Sequence, residues 1–150
     1  MAKRKKSELS KAKDACWKAF SKYIRTRDCI RFNDSLYDGM CITCRREYPF
    51  KQLQAGHFIG GRNNAVLFDE RIVYSQCGSC NVNPPYGLGG NYVEYTLFMM
   101  NSEGYTKEGI EELTKLKHAI VKYTPDQLHE MKKQYKERTK ELEKEWKAKH

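Results

Sequence analysis

Cys41-Ile42-Thr43-Cys44, Gly56-His57-Phe58 and Cys77-Gly78-Ser79-Cys80-Asn81 are the stretches on which the reading of this chain turns. The two C-x-x-C pairs, Cys41/Cys44 and Cys77/Cys80, supply four thiolates, the complete ligand set of a closed tetrahedral structural zinc site. One such pair alone would read equally as a redox motif. Two of them, in a chain without a secretion signal, favour metal over disulfides. His57 stands between the pairs, and Asn81 directly follows the last cysteine. Cys16 and Cys29 are left over and read as small buried hydrophobes.

Composition limits what surrounds this platform. In 150 residues, 39% are hydrophobic and 31% charged, which fits one domain or a small core with helical extensions. The 28 Lys and Arg against 19 Asp and Glu leave a net charge of +9, so polyanions are the expected partners, DNA or RNA first, although an anionic membrane surface would also fit. No apolar run approaches the roughly 20 residues needed to span a bilayer. The basic N-terminus continues as Ser-Glu-Leu-Ser-Lys rather than an apolar signal core. These features read as soluble and intracellular.

Upstream of the platform, the basic tip Lys3-Arg4-Lys5-Lys6 is either a solvated end or an arm that contacts phosphates. From about Ser10 to Arg27, the apolar residues Ala15, Cys16, Ala19, Phe20, Tyr23 and Ile24 recur at helical spacing. The opposite face carries Lys18, Lys22 and Arg25, a one-signed surface suited to a phosphate backbone. Residues 28–40 read as a connector with at most one short strand. Met40 to Arg46 reads as a zinc knuckle that includes Arg45 and Arg46, two further candidates for nucleic-acid contact. A short strand then carries His57 into a glycine turn and a loop with Arg62, and Arg71 to Tyr74 resembles a second strand leading into Cys77.

Downstream, Pro84, Pro85 and several glycines make residues 82–90 a loop, in which Tyr86 is a candidate for touching DNA. A helix follows over Tyr92–Met100 with Asn91 as its expected N-cap. Thr106 caps the next, whose buried stripe is expected to be Ile110, Leu113, Leu116, Lys117 and Ile120. Thr124 and Pro125 restart the chain as a last helix to about Lys149. Its Leu128, Met131, Tyr135, Leu142 and Trp146 form a seam near a seven-residue repeat, interrupted by Thr139. That seam either folds back on the core or makes a homodimer contact.

Chemically, phosphodiester hydrolysis needs a base with a pKa near 7 and a divalent cation to neutralise charge on the scissile phosphate and the leaving oxygen. His57 can be the base, and the side-chain carbonyl of Asn81 can ligate a hard cation such as magnesium. The structural alternatives are a core histidine and a turn or capping asparagine.

The set C-x-x-C, Gly56-His57-Phe58, Phe68-Asp69-Glu70-Arg71, Gln76-C-x-x-C-Asn81 and Gly90-Asn91-x-Val93-x-Tyr95 resembles the NinG (Rap) recombination nucleases of lambdoid phages. More broadly it is similar to the zinc-bearing HNH, or ββα-metal, endonucleases, including junction resolvases of the endonuclease VII type. The resemblance implies an α+β fold with a zinc-stapled HNH-like core at 41–101, a basic arm and amphipathic helix at 1–40, and a helical extension at 102–150. It implies structural zinc on Cys41, Cys44, Cys77 and Cys80, His57 as general base, and Asn81 as a ligand of catalytic magnesium or manganese. It further implies cleavage of branched DNA, such as Holliday junctions and displacement loops, in the host cytoplasm. Two positions depart from the wider HNH pattern. Gly56 stands where an acid often precedes the histidine, and Ile72 where an asparagine often orients it. Asp69, Glu70 or Glu94 could complete the metal shell instead, and a backbone carbonyl could hold His57. A zinc-stabilised DNA-binding adaptor without catalysis, and a nicking or restriction-type nuclease on duplex DNA, are the alternative functions.

Overall fold

Ser7 accepts from the Ser10 amide and starts a 26-residue helix, α1 (Glu8–Asn33), which crosses the whole protein. The structure is a computed structural model that describes residues 4–61 and 63–150. Lys3 of the basic tip, and Arg62 with its expected DNA contact, lie outside the described residues. The expected helix end at Arg27 is corrected: α1 continues to Asn33 and closes at Asp34, in the left-handed region with φ 47°. Asp28 reads as a turn former in isolation. Here its carboxylate is buried and accepts from Arg27 Nε and from the Ser75 backbone N–H, both at 2.8 Å. Tertiary partners therefore keep an aspartate inside a helix that local propensity would end there.

Two small antiparallel sheets follow. β1 (Asp38–Met40) pairs with β2 (Glu47–Pro49), and the knuckle Cys41–Arg46 is the turn between them. β3 (Leu53–His57) pairs with β4 (Val73–Cys77), in a register that sets Leu53 opposite Cys77 and His57 opposite Val73. The second strand begins later than Arg71, because Asp69 caps a 3-10 turn over Glu70–Ile72. The Ile42 N–H donates to the Ser75 carbonyl at 3.0 Å and joins the two sheets. Between β3 and β4, Asn63 caps the single turn α2 (Asn64–Leu67), and immediately after β4 comes α3 (Gly78–Asn81).

The remaining elements are helical: α4 (Tyr92–Asn101), α5 (Lys107–Thr114) and α6 (Pro125–Lys149). Thr124 and Gln127 cap α6 reciprocally, with Pro125 in its first turn. The apolar seam of α6 lies on α1 of the same chain, running in the same direction: Tyr135 meets Phe20 edge-on at 5.0 Å, and Trp146 Nε1 donates to the Asp34 carbonyl at 3.1 Å. Thr139 does not break this seam, because its buried hydroxyl donates to the Tyr135 carbonyl. One apolar core gathers Phe20 and Ile24 of α1, Ala55 and Val73 of the central strands, Tyr95 and Met99 of α4, and Leu128 and Tyr135 of α6. Leu113 joins this core, but Lys117 is exposed and Ile120 is 89% exposed, so both leave the expected stripe, since α5 gives way to a 3-10 turn over Lys115–His118 that ends before Ile120. The fold is a mixed α+β arrangement, and no helix of the described residues is long and apolar enough to cross a membrane.

Candidate metal centre and adjoining cleft

The β1–β2 turn and the β4–α3 junction bring four sulfurs together. Those of Cys41, Cys44, Cys77 and Cys80 all lie within 4.8 Å of one another, with Cys44 and Cys77 at 3.9 Å. Zinc–sulfur bonds of about 2.3 Å in a tetrahedron require sulfurs about 3.8 Å apart, so the donor set fits zinc in both chemistry and spacing. Among the described residues this is the one cluster of three or more such ligands.

The surroundings are arranged for thiolates. The Cys44 N–H donates to Cys41 Sγ at 3.5 Å and the Thr43 hydroxyl lies 3.2 Å from the same sulfur. Burial pushes the Cys41 thiol up, but these donors, with the backbone amides of Cys77 and Thr43, outweigh it and bring the thiol down to about 7. Arg45, at φ 63°, takes the left-handed turn that aims the knuckle inward. Asn91 stands at the N-cap position of α4 as expected, but its side chain makes no capping bond; instead Nδ2 lies 3.6 Å from Cys80 Sγ. Cys16 and Cys29 are buried away from this cluster, and desolvation first of all raises their thiols to about 11 and about 12, as inert core residues require.

Beside the sulfurs, a cleft of about 760 Å³ is lined by His57, Asn81, Gln54, Trp17, Gly60 and Tyr92 among others. His57 ends β3. Its Nε2 lies 3.1 Å from the Leu67 carbonyl of α2. A carbonyl only accepts, so Nε2 carries a proton, and whenever the ring is neutral its basic lone pair is on Nδ1. Trp17 of α1 also stacks on the ring, at 5.2 Å between centroids. Asn81 ends α3, four residues after Cys77, and its Nδ2 donates to Gln54 Oε1 at 2.8 Å. That bond identifies the remaining Oδ1 as the oxygen turned toward Gly56, 3.0 Å from where a Cβ there would stand.

Gly56 and Ile72 acquire physical explanations. A Cβ on Gly56 would sit 1.9 Å from Gln76 Oε1, because the buried Gln76 amide fills that space. Gln76 Nε2 donates to Thr43 Oγ1 at 3.1 Å and to the Gly90 carbonyl at 2.8 Å, linking the strand to the sulfur cluster. Ile72 is buried in the apolar core, and its carbonyl accepts from the Phe58 N–H at 2.7 Å.

Acids are kept away from the cleft. Among the described residues no carboxylate lines it. Asp69 is engaged by Arg71 at 2.7 Å, Glu70 by Arg138 at 2.8 Å, and Glu94 is exposed on α4. The candidate DNA contacts scatter. Arg45 and Arg46 are exposed on the knuckle, and Tyr86 is 88% exposed at the tip of the loop after α3. Lys18 and Lys22 lie in a groove between α1 and α6. Arg25 does not reach outward as its neighbours do. Its Nε donates to the Ser21 carbonyl at 3.1 Å and its guanidinium lies 4.7 Å over the Phe50 ring. Trp17 had no local signal to mark it, since one tryptophan on an amphipathic helix reads as core.

With this geometry in place, comparison adds one finding. A family model described as Bacteriophage Lambda NinG protein matches residues 1–145. No curated protein and no solved structure matches the chain.

Proposed function

This chain belongs to the NinG family, and we propose that it is a metal-dependent endonuclease that hydrolyses phosphodiester bonds in branched recombination intermediates of DNA, with His57 as general base. The observation that carries the reading is that one strand–strand–turn unit, anchored by the four-cysteine cluster, delivers His57 and Asn81 to the same cleft. That is the arrangement expected of an HNH-type core at 41–101. The segments 1–40 and 102–150 act as a helical clasp around it.

In this reading zinc is structural. It fixes the direction of α3 and with it Asn81. His57 Nδ1 removes a proton from the attacking water, while the Leu67 carbonyl holds Nε2–H and so selects the tautomer. The Asn81 Oδ1 is a hard neutral oxygen whose partner amide nitrogen is already engaged. It suits magnesium or manganese, which bind through few protein ligands plus waters and substrate phosphates. Such a cation would supply charge neutralisation at the scissile phosphate and at the leaving oxygen. With no carboxylate among the described residues of the cleft, the phosphate oxygens of DNA would be the natural completion of its shell. Arg45, Arg46 and Tyr86 are proposed as DNA contacts, because each is exposed on a loop that flanks the sulfur cluster. A homodimer for a two-fold symmetric junction would need a surface other than the α6 seam, which α1 covers.

The acid-poor cleft favours a second reading, a zinc-stabilised DNA-binding adaptor. Cleavage assays on a four-way junction, a flap, a linear duplex and single-stranded DNA separate the two. The nuclease reading predicts that wild type cuts with magnesium or manganese, and that His57→Ala abolishes cutting while zinc content and junction affinity stay near wild type. Cutting by His57→Ala at the wild-type rate would refute the assignment of the base, and no cutting by wild type with either cation would favour the adaptor. Equal rates on all four substrates would refute the preference for branches.

A further inference from the structure

The parallel packing of α6 on α1 creates a feature that neither helix has alone. Lys18 and Lys22 of α1 are four residues apart and share a face. Lys132, Lys136 and Lys140 of α6 repeat the same spacing. The two rows meet across one groove of about 560 Å³, in which Glu143 is the single acid among the described residues. Among the described residues only Lys22 of the five has an acidic partner, Glu143 at 3.9 Å. Like charges four apart on a helix repel, and two facing rows repel further. Glu141 and Glu145 lie on another face of α6 beside Arg138, while Glu137 lines an adjoining hollow with His129, Lys132, Lys133, Lys136 and Lys140, where lysines again outnumber the acid.

The groove is also separate from the cleft of His57. Trp17 and Ser21 of α1 line the cleft, while Lys18 and Lys22 line the groove. One residue along an α-helix is a rotation of about 100°. α1 therefore stands between the two as a wall, with the reacting histidine on one side and five ammonium groups on the other. Lysines at this spacing place a charge about every 6 Å along a helix, which suits a chain of phosphates.

We propose that this lysine groove binds the phosphate backbone of a second DNA segment, on the far side of α1 from the segment held in the cleft. The proposal rests on the nuclease reading for what lies in the cleft, but not for the groove itself. Each phosphate neutralised by lysine releases counterions and steepens the salt dependence of binding, by about 0.9 in the slope of log K against log salt.

The test uses the full chain with zinc bound, and compares wild type with Lys132→Gln/Lys136→Gln/Lys140→Gln and with the charge-preserving triple change to arginine. Fluorescence anisotropy on a labelled four-way junction is read across a salt series, and circular dichroism verifies the fold. The glutamine triple is expected to bind the junction about ten-fold more weakly and to lose about 2.7 from the salt slope, while the arginine triple retains both. Unchanged affinity and slope in the glutamine triple would overturn the proposal. So would tighter binding of wild type to vesicles of equal parts phosphatidylcholine and phosphatidylserine than to the junction, with that binding lost in the triple. If wild type cuts with neither cation while the glutamine triple loses binding, the nuclease reading falls and the groove stands; if wild type cuts and the glutamine triple binds as wild type does, the groove alone is removed.

Discussion

Trp17 lies almost face to face with His57, the ring centroids 5.2 Å apart and the planes inclined by 18°. The indole comes from the first helix and the imidazole from the end of β3. Together with the Leu67 carbonyl, this stack restricts the histidine to one orientation in the cleft. Trp17→Ala is expected to slow junction cutting by about 10- to 100-fold, because small misplacement of a reacting group costs that much. Trp17→Phe preserves a stacking face and should recover most of the rate. Single-turnover cleavage at saturating protein measures both. A Trp17→Ala protein that cuts at the wild-type rate would remove the positioning role.

Gly56 is dictated by Gln76, its diagonal neighbour on β4, which pairs directly with Gln54. With Gln76 Oε1 only 1.9 Å from the position of a Cβ, Gly56→Ala forces the buried amide to move and disturbs its bonds to Thr43 and Gly90. The expected loss is about 1–3 kcal/mol, typical of overpacking. In Gly56→Ala/Gln76→Ala the clash is absent, so the double variant should be more stable than the sum of the single effects predicts. Urea denaturation of the three variants gives the coupling energy directly.

Much of this was legible in the residues. The four-cysteine cluster is readable because each half is local, two cysteines at a fixed short spacing, and only the pairing of the halves is tertiary. The α6 seam is equally readable as a stripe, but its partner is not, since Tyr135 is compatible with α1 or with a second chain until Phe20 is seen against it. Trp17, Asp28 and Gln76 were opaque for one shared reason. Each acts on a residue far along the chain: His57, Ser75 and Gly56 respectively. Propensity assigned Asp28 to a turn and Asn91 to a helix cap because it weighs only local hydrogen bonds, and in both cases a distant partner takes the side chain instead.

Zinc removal should act on the fold before it acts on chemistry. The four sulfurs tie β1–β2 to β4–α3, and apart from them that corner has only small apolar support, with Tyr48 packed against the cluster. Native mass spectrometry is expected to show one zinc per chain. Cys80→Ser, or a strong chelator, should lower the melting temperature and loosen the segment around Asn81, while the α1–α6 pair stays helical. Hydrogen exchange resolves the two regions. Uniform loss of protection along the whole chain would contradict this division.

Glu103 gives a pH dependence whose sign is determined. Burial alone would raise its carboxyl, but the two Arg31 bonds of 2.6 Å and the Tyr74 hydroxyl at 2.7 Å overcome that and hold it below its ordinary 4.5. A lowered folded pKa means that the folded protein binds this proton less readily than the unfolded chain does. The contribution to stability is therefore full above about pH 4.5 and is lost as pH falls through the folded value. Glu103→Gln cannot titrate, so its melting temperature should be lower than wild type at neutral pH and should depend less on pH in the acid range. Parallel curves for the two proteins would show that Glu103 is not the group responsible.

Asp28 holds the two halves of the fold in register. Its carboxylate accepts from the Ser75 N–H on β4 and from Arg27 Nε, and Arg27 in turn donates to the Val73 carbonyl at 2.9 Å. This latch sets where β4 meets α1, and hence where Cys77 and, through β3, His57 stand. Asp28→Ala leaves a largely buried guanidinium and a buried amide without their acceptor, which costs about 3–5 kcal/mol when one partner of such a pair is removed. Asp28→Asn retains an acceptor oxygen of similar shape but no charge, so it should lie between wild type and Asp28→Ala in stability. If β4 is positioned by this latch, zinc affinity should fall in the same order, because Cys77 is the last residue of that strand. Competition against a zinc-sensitive dye reads that order independently of melting, and an alanine variant with undiminished zinc affinity would confine the role of Asp28 to the helix.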